Sequence, residues 1–231
     1  MVRRFAALLL ILALGAVFLP LFLAYHPDTS LNPTALYYAE RTAQDLGAAN
    51  IVTAIVVTYR GLDTLGEVTV LFLSAAIVGL VLARDRLTPR PHTRVPAGEL
   101  LTTGSRLLAP LIMLLGVYIF SNGHLTPGGG FQGGAVIASG VLLLLLADPE
   151  RRFGHRIIGF IESLSGVAYV LIGLAGLYYA GGFLDNRILP TGQVGQLFSA
   201  GAIPLIYSLI GLKVGSEFSS ILADLSETEE L

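Results

Sequence analysis

Long apolar runs separated by short polar segments extend along most of the chain. The first run covers Phe5 to Ala24 and follows Arg3 and Arg4. A helix that crosses a bilayer needs about 20 mostly apolar residues, whereas a signal peptide has an apolar core of roughly 7 to 15 residues followed by a cleavage site with small residues. The length of this run therefore predicts an uncleaved first membrane helix.

The next part of the chain alternates between polar and apolar segments. Residues 25–49 are polar and contain two prolines, which predicts an external loop whose second part, around 36–46, favours helix. The apolar stretch 51–58 is too short to cross a membrane. It leads through charged residues into the apolar run 68–83. This order predicts a short re-entrant or interfacial piece before the second crossing, because a backbone break at membrane depth requires surrounding protein or water.

A stretch rich in arginine and proline divides the chain into two parts. We expect a cytoplasmic linker over residues 87–104, between a two-helix membrane segment over 1–86 and a four-helix membrane domain over 105–231. Short loops join the four later crossings, which are predicted at 104–120, 131–147, 157–180 and 194–214. The expected architecture is therefore all-α and integral to the membrane, with about six transmembrane helices and no soluble domain.

Composition agrees with this architecture. Of the 231 residues, 54% are hydrophobic and 13% are charged, which is about half the charged fraction of soluble domains. The formal net charge of −2 provides no basic surface for a nucleic acid. The chain contains no cysteine, which excludes disulfides, iron–sulfur clusters and thiolate metal sites within this polypeptide.

The arginines predict that both termini are cytoplasmic. Loops on the cytoplasmic side of membrane proteins carry an excess of lysine and arginine. Ten arginines fall on one side of the predicted topology: Arg3, Arg4, Arg84, Arg86, Arg90, Arg94, Arg106, Arg151, Arg152 and Arg156. Only Arg41 and Arg187 fall in the opposite loops. The acidic residues Glu227, Glu229 and Glu230 are then expected to form a solvated cytoplasmic tail.

A charged cluster precedes the second crossing, with the sequence R-G-L-D-T-L-G-E from Arg60 to Glu67. In a helix, Arg60, Asp63, Thr64 and Glu67 would share one face, because residues three and four apart are neighbours. A carboxylate deep in a bilayer costs about 3 kcal/mol on insertion scales. Glu67 is therefore a candidate proton- or cation-binding group, tuned by Arg60 and Asp63. The alternative is a set of interfacial side chains that snorkel to headgroups, or a structural ion pair.

A glycine-rich segment lies between the predicted third and fourth crossings, with the sequence G-H-L-T-P-G-G-G-F-Q-G-G over residues 123–134. So many glycines around Phe131 predict a tight irregular turn with close backbone approach, not a regular helix. His124 is a candidate proton shuttle near neutral pH, or else a helix cap or hydrogen-bond donor. The residues expected to build this loop are Pro127, Gly128, Gly129, Gly130, Gly133 and Gly134.

Lys213, the only lysine, and Glu217 lie four residues apart near the predicted cytoplasmic end of the last crossing. They either line an ion path or form an interfacial pair whose lysine snorkels to headgroups. Glu162, early in the fifth crossing, has the same two interpretations. No group of residues predicts hydrolytic, nucleophilic or phosphoryl-transfer catalysis, so we do not expect the chain to be an enzyme on its own.

The two motifs resemble known families. The segment from about Ala49 to Ala83, which contains R-G-L-D-T-L-G-E, is similar to the E-type segment at the carboxyl end of the large A-type chain of Mrp-type multisubunit Na+/H+ antiporters. In Mrp-derived membrane-bound hydrogenases that segment is a separate small subunit. The region from about Arg106 to Leu225, which contains the glycine-rich segment, resembles the MnhB/MrpB subunit.

The resemblance implies a subunit of a cation-handling complex in the cytoplasmic membrane of a prokaryote. Its partners would be the lipid bilayer and A-, C-, D-, E-, F- and G-type membrane subunits. Na+ and H+ would be the transported ions, with no cofactor in this chain. Glu67 matches the family position suspected in ion transfer, whereas His124, Pro127 and the following glycines match the B-type motif.

The order of the two segments leaves a second interpretation open. Ordinary antiporters fuse the E-type segment to the A-type chain, whereas this chain fuses it to a B-type domain. That order is similar to the one in hydrogenase-type complexes. The alternative is therefore the same module within a redox-driven complex, such as an energy-converting membrane-bound hydrogenase. In that case Ni–Fe and Fe–S centres would belong to peripheral partner subunits.

Overall fold

The computed structural model describes residues 2–25, 29–85, 97–148 and 154–229, and its regular elements are all helices. Within these ranges there is no strand, which confirms the predicted all-α architecture. Six helices are long and apolar enough to cross a membrane, as predicted. Most of the arginine-rich linker and the last residues of the acidic tail lie outside the described ranges.

The described chain forms two compact units, residues 1–37 and 38–231. The candidate membrane-spanning helices are α1 (Val2–Leu23), α4 (Gly61–Asp85), α5 (Glu99–Ser121), α6 (Gly130–Ala147), α7 (His155–Tyr179) and α8 (Ile203–Glu229). The shorter elements are α2 (Pro33–Leu46), α3 (Ile51–Ala54), a π-helical turn (Ile55–Tyr59) and a 3-10 helix (Asn186–Ile188).

Helix α2 begins at a proline. The backbone amide of Ala35 donates to Asn32 Oδ1 at 2.8 Å, so that Asn32 caps the helix. Pro33 suits the first helical position because the amide hydrogen that proline lacks would have no partner there. The helix expected around 36–46 in the second part of the predicted loop is therefore confirmed, with a start a few residues earlier.

Helix α8 lies at the centre of the second unit, where it packs against α4, α5, α6 and α7. Ile203, Ile206, Ile210 and Val214 are all buried along it. Their spacing of three and four residues places them on one face. The apolar core of the unit is therefore built around this helix.

Glycines allow α6 to approach its two neighbours closely. A Cβ atom at Gly134 would lie 2.8 Å from the carbonyl oxygen of Gly211 and 2.8 Å from the amide nitrogen of Gly215, both in α8. A Cβ atom at Gly133 would lie 2.6 Å from the carbonyl oxygen of Gly116 in α5. Backbone atoms leave no room for a side chain at these positions, so α6 packs backbone to backbone on both sides.

Hydrogen bonds gather the loops at one end of the second unit. The amides of Ala49 and Asn50 donate to the carbonyl oxygen of His124 at 3.1 and 3.0 Å. The side chain of Asn186 is fully buried and donates to the carbonyl oxygen of Leu46 at 2.9 Å. This end therefore holds the starts of α6 and α8 and the ends of α5 and α7. The membrane side on which the termini lie stays a prediction.

Helix α5 begins at Glu99, within the stretch assigned to the linker from sequence. Glu99 occupies the first turn, where a negative charge interacts favourably with the positive end of the helix dipole. The leucines that follow favour helix. These local preferences explain why the third crossing starts earlier than Gly104, where its apolar run begins.

Candidate functional site

The helical segment that leads into α4 breaks at Arg60, whose backbone angles are φ −125° and ψ 37°. The hydroxyl of Thr64 donates to the carbonyl oxygen of Val56 at 2.6 Å. In a continuous α-helix, residues eight apart are separated by about 12 Å along the axis. The chain must therefore turn back at the break, and α3 with the π-helical turn forms the separate short piece that the sequence predicts before the second crossing.

The break brings some of the charged cluster together and separates the rest. Arg60 Nη2 lies 2.5 Å from Asp63 Oδ2, and the two side chains are 62% and 48% exposed. Thr64 is buried against the turn, whereas Glu67 is exposed. The expectation that all four side chains converge on one helix face is thus wrong in part. Its premise of a continuous helix fails, because helix α4 begins only after Arg60.

Glu67 is an exposed carboxylate on the surface of α4. It lies six residues from the first residue of the helix, or roughly 9 Å along its axis. Within the described ranges it forms no ion pair and no hydrogen bond. Val70 and Leu73, which follow on the same helix, are 64% and 58% exposed. Glu67 is therefore a charge next to an apolar surface of a candidate membrane span.

The glycine-rich loop ends earlier than predicted. It covers residues 123–129, with Pro127 and Gly129 in irregular conformations, and Gly128 has a φ of +137° that favours glycine. Helix α6 then begins, and it contains Gly130, Gly133 and Gly134. The prediction that these three form an irregular turn is wrong. Each glycine weakens a helix by about 1 kcal/mol, but the packing of α6 on α5 and α8 stabilises it. The predicted close backbone approach is confirmed.

This loop binds the segment that precedes α4. The side-chain amide of Asn50 donates to the carbonyl oxygens of Gly123 and Thr126 at 2.8 and 2.9 Å. Its oxygen accepts from the amide of Thr53 at 3.3 Å and caps α3. The hydroxyl of Thr53 donates to the carbonyl oxygen of Gly123 at 2.6 Å. Neither Asn50 nor Thr53 is predicted from sequence to take part, although asparagine just before an apolar run is a known signal for a helix start.

His124 belongs to the same loop. Its exposed fraction is 0%, so the side chain is buried and does not line an open mouth. Burial lowers the pKa of its imidazole below the usual 6.5, and the nearby backbone of Gln196 and Leu197 partly opposes this shift. The neutral imidazole is therefore favoured at neutral pH. Its carbonyl oxygen holds the chain at residues 49 and 50. A role in proton transfer stays a prediction.

Lys213 belongs to a buried charge cluster near the middle of α8. Its Nζ lies 2.7 Å from Glu217 Oε1 and 4.0 Å from Glu162 Oε1 in α7. The exposed fractions of the three side chains are 11% for Lys213, 0% for Glu217 and 18% for Glu162. Nζ also lies 4.9 Å from the ring centroid of Phe72 in α4, a cation–π geometry. The pair of Lys213 and Glu217 expected from their spacing is therefore present, and the lysine packs between α4 and α7.

All three charged residues of this cluster stand out in the sequence, but their proximity does not. Helical periodicity relates Lys213 to Glu217, but it does not give the register between two helices, which decides that Glu162 faces Lys213. The described ranges contain no group of three or more His, Asp or Glu side chains that could hold a metal ion. The cluster is therefore defined by its ammonium group and two carboxylates.

Family models match both parts of the chain. Residues 2–96 match a model described as the E-type subunit of MBH. Residues 100–220, more than half of the chain, match a model described as a domain related to the MnhB subunit of the Na+/H+ antiporter. The chain belongs to this MnhB-related family. The resemblance drawn from the two motifs is thereby confirmed.

Relatives of this MnhB-related chain include chains of two solved complexes. An uncharacterised protein of Methanocaldococcus jannaschii is 30% identical over 78% of this chain and 82% of its own. A chain of the membrane-bound sulfane sulfur reductase, an archaeal respiratory membrane complex, is 43% identical with a TM-score of 0.83, and the match covers 97% of this chain and 98% of that chain. A chain of the Mrp complex from Dietzia sp. DQ12-45-1b is 26% identical with a TM-score of 0.80.

The extent of these matches differs between the two structures. The Mrp match covers 97% of the MnhB-related chain but only 26% of the Mrp chain. The respiratory complex instead holds a chain that corresponds to this one from end to end. The MnhB-related chain is therefore a multi-pass membrane protein whose structural neighbours are subunits of multisubunit membrane complexes.

Proposed function

We propose that the chain is a membrane subunit of an Mrp-type cation/proton antiporter module and helps to couple H+ movement to Na+ export. Its partners are other membrane subunits of A-, C-, D-, E-, F- and G-type. The single observation that carries the proposal is the exposed carboxylate of Glu67 on a candidate membrane span, with no counter-ion among the described residues. The chain contributes binding and positioning groups to the ion path and performs no catalysis on its own.

The surroundings of Glu67 support a place at a subunit interface. An ionised carboxylate in contact with lipid hydrocarbon is unfavourable by about 3 kcal/mol on insertion scales. This chain offers Glu67 no counter-ion within the described ranges. Helix α4 therefore presents the carboxylate to a neighbouring subunit or to water between subunits. A transported Na+ or H+ would neutralise it there.

The groups next to Glu67 set its electrostatic environment. Asp63 lies one helical turn before it and is paired with Arg60. The Arg60 guanidinium compensates the charge of Asp63, which leaves Glu67 as the carboxylate of this region that can accept an ion. His124 fixes the start of the same region through its carbonyl oxygen. In this proposal Arg60, Asp63, Thr64 and His124 position and tune the site, and Glu67 binds the ion.

A second candidate function is the same ion-translocating module within a redox-driven membrane complex. The end-to-end match at 43% identity to a chain of an archaeal respiratory complex favours it, because the corresponding Mrp chain is about four times as long. In a redox-driven complex of this kind, electron transfer in peripheral subunits with metal centres would drive ion pumping. An energy-converting hydrogenase or a sulfur-reducing enzyme would provide such subunits.

Affinity purification of the tagged chain from its native membrane in mild detergent separates the two candidates. Co-purification of membrane subunits alone supports the antiporter. Co-purification of Fe, acid-labile sulfide or Ni with additional peripheral proteins supports the redox-driven complex. Recovery of the chain only as a homo-oligomer would overturn both.

The role of Glu67 is tested with Glu67→Gln in the assembled complex. Na+-dependent proton exchange in inverted membrane vesicles should be lost, while the subunits still co-purify in wild-type amounts. Glu40→Gln is the matched control, because Glu40 is an exposed carboxylate on α2, outside the candidate membrane spans. Exchange that continues at the wild-type rate in Glu67→Gln would remove Glu67 from the ion path.

A further inference from the structure

The cluster of Glu162, Lys213 and Glu217 has one more acidic group than basic groups. Glu217 is completely buried, and among the described residues neither of its carboxylate oxygens meets the geometry of a hydrogen bond. Oε1 lies 2.7 Å from Lys213 Nζ. With all three groups ionised the cluster carries a net charge of −1, and an unpaired charge in a protein interior is strongly unfavourable.

The helices around the cluster do not supply the missing positive charge. Helix α6 has no titratable side chain, and α4 faces the cluster with Phe72. Arg106 on α5 and Arg156 on α7 are exposed, as are Tyr118 on α5 and Glu67 on α4. On α7, the hydroxyl of Tyr169 is directed to the carbonyl oxygen of Gly61 at 3.4 Å. Two turns further along α8, Asp224 is acidic and supplies no positive charge.

We propose that Glu162, Lys213 and Glu217 form an intramembrane site for one exchangeable proton, separate from Glu67. One bound proton makes the cluster neutral, with one carboxylic acid, one carboxylate and one ammonium group. The site rests on the proposed function and deepens it, because a proton that binds and leaves at membrane depth is what H+ coupling requires. It does not depend on which ion Glu67 binds.

The proton moves between the two carboxylates through Lys213. In one state Glu162 is protonated and the Lys213 ammonium donates to ionised Glu217. Lys213 gives a proton to Glu217, and the resulting amine takes the proton from Glu162. The products are ionised Glu162, ammonium and neutral Glu217, so that the number of protons and the net charge of zero are conserved. Glu162, at 18% exposed, is the entry point, and the fully buried Glu217 is the inner acceptor.

The geometry permits this exchange with a small movement. Nζ is already 2.7 Å from one carboxylate and 4.0 Å from the other, so a shift of roughly 1 Å brings it to the usual N–H···O length of about 2.8 Å from Glu162. Gly166 leaves space for the lysine, because a Cβ atom there would lie 3.5 Å from Lys213 Cδ and 3.5 Å from Cε. A larger side chain at position 166 would occupy the space through which the lysine moves.

Infrared difference spectroscopy of the purified complex tests proton binding directly. The wild-type spectrum minus that of Glu162→Gln or Glu217→Gln should contain one protonated-carboxyl band that shifts when H2O is replaced by D2O. Glu99→Gln is the control, because Glu99 is exposed at the start of α5 and should give no such band. Absence of the band from both cluster difference spectra would overturn the proposal.

Transport by the same variants separates this proposal from the proposed function. Glu217→Gln and Gly166→Leu should lose Na+-dependent proton exchange in vesicles with full assembly, whereas Gly166→Ala should keep it because its methyl group fits at ordinary contact distance. Wild-type exchange in Glu217→Gln would overturn the proton site but leave the antiporter function intact. A wild-type complex without any cation-dependent proton movement would contradict the proposed function, while the infrared band would still report the site.

Discussion

The hydroxyl of Thr53 donates a 2.6 Å hydrogen bond to the carbonyl oxygen of Gly123. The two residues are 70 positions apart, one in the E-type segment and the other in the B-type domain. Asn50 adds two hydrogen bonds from the same segment to the same loop. The short piece before α4 is therefore held by the loop between α5 and α6, and its position depends on that loop.

Asn50→Ala should destabilise the complex by about 2–3 kcal/mol, because it removes two side-chain hydrogen bonds and a helix cap. The measurement is the midpoint of thermal unfolding in detergent. Asn32→Ala removes an exposed cap of α2 and should cost about 1 kcal/mol. Equal shifts for the two variants would show that the hydrogen bonds to the loop contribute nothing.

Gly134→Ala should weaken the packing of α6 on α8 by about 1–3 kcal/mol, the usual cost of overpacking, because its Cβ would meet backbone atoms at 2.8 Å. Less of the subunit should then accumulate in membranes, as measured by quantitative immunoblotting. Gly66→Ala is the matched control, since among the described residues its Cβ would have no atom within 4 Å outside the backbone of its own helix. Normal accumulation of Gly134→Ala would contradict the close packing described for α6.

Lys213→Met should destabilise the chain by about 3–5 kcal/mol, because it leaves buried Glu217 without its partner. The double variant Lys213→Met/Glu217→Gln should recover most of that loss, since it removes the buried carboxylate as well. Thermal unfolding of the purified complex measures both. A double variant no more stable than the single one would indicate that Glu217 is not stabilised by Lys213.

His124 should make stability fall in acid. Its pKa is lowered in the folded protein, so below about pH 6.5 the unfolded chain binds the proton more readily, and unfolding becomes more favourable as the pH falls. Above that value this contribution is constant. Unfolding midpoints of wild type and His124→Gln, compared on both sides of pH 6.5, should show a weaker pH dependence in the variant. The same pH dependence of stability in wild type and variant would show that other titratable groups cause it.

The sequence predicts the helices well and their mutual arrangement poorly. Length and hydropathy suffice to find the six candidate spans because the bilayer requires about 20 apolar residues per helix. They do not give the bounds: the last span begins at Ile203 and not near residue 194, and the connection before it, residues 180–202, is not a short loop. Gly130, Gly133 and Gly134 are misassigned from sequence because local propensity disfavours helix at glycine. The packing partners that favour helix there lie on two other helices, α5 and α8. Such contacts are not visible in a local pattern.

The same limit applies to the candidate site. The pair of Arg60 and Asp63 follows from helical spacing, and the structure contains it. The burial of the Thr64 side chain depends on the helix break at Arg60. No single residue type in this segment requires such a break. The proximity of Glu162 to Lys213 depends on the register of α7 against α8. Polar residues at membrane depth can be picked out from sequence, but their partners on other helices cannot.

The hydrogen bonds of Asn50 and Thr53 have a consequence for how such a subunit can be encoded. Helix α4 also packs on α8, so the two halves share a non-covalent interface independent of the connecting peptide. We expect two polypeptides, divided within residues 86–96 and produced together, to assemble into the same subunit. A gene boundary at this position can then be gained or lost without any new contact surface, which makes fusion and fission of these reading frames structurally neutral.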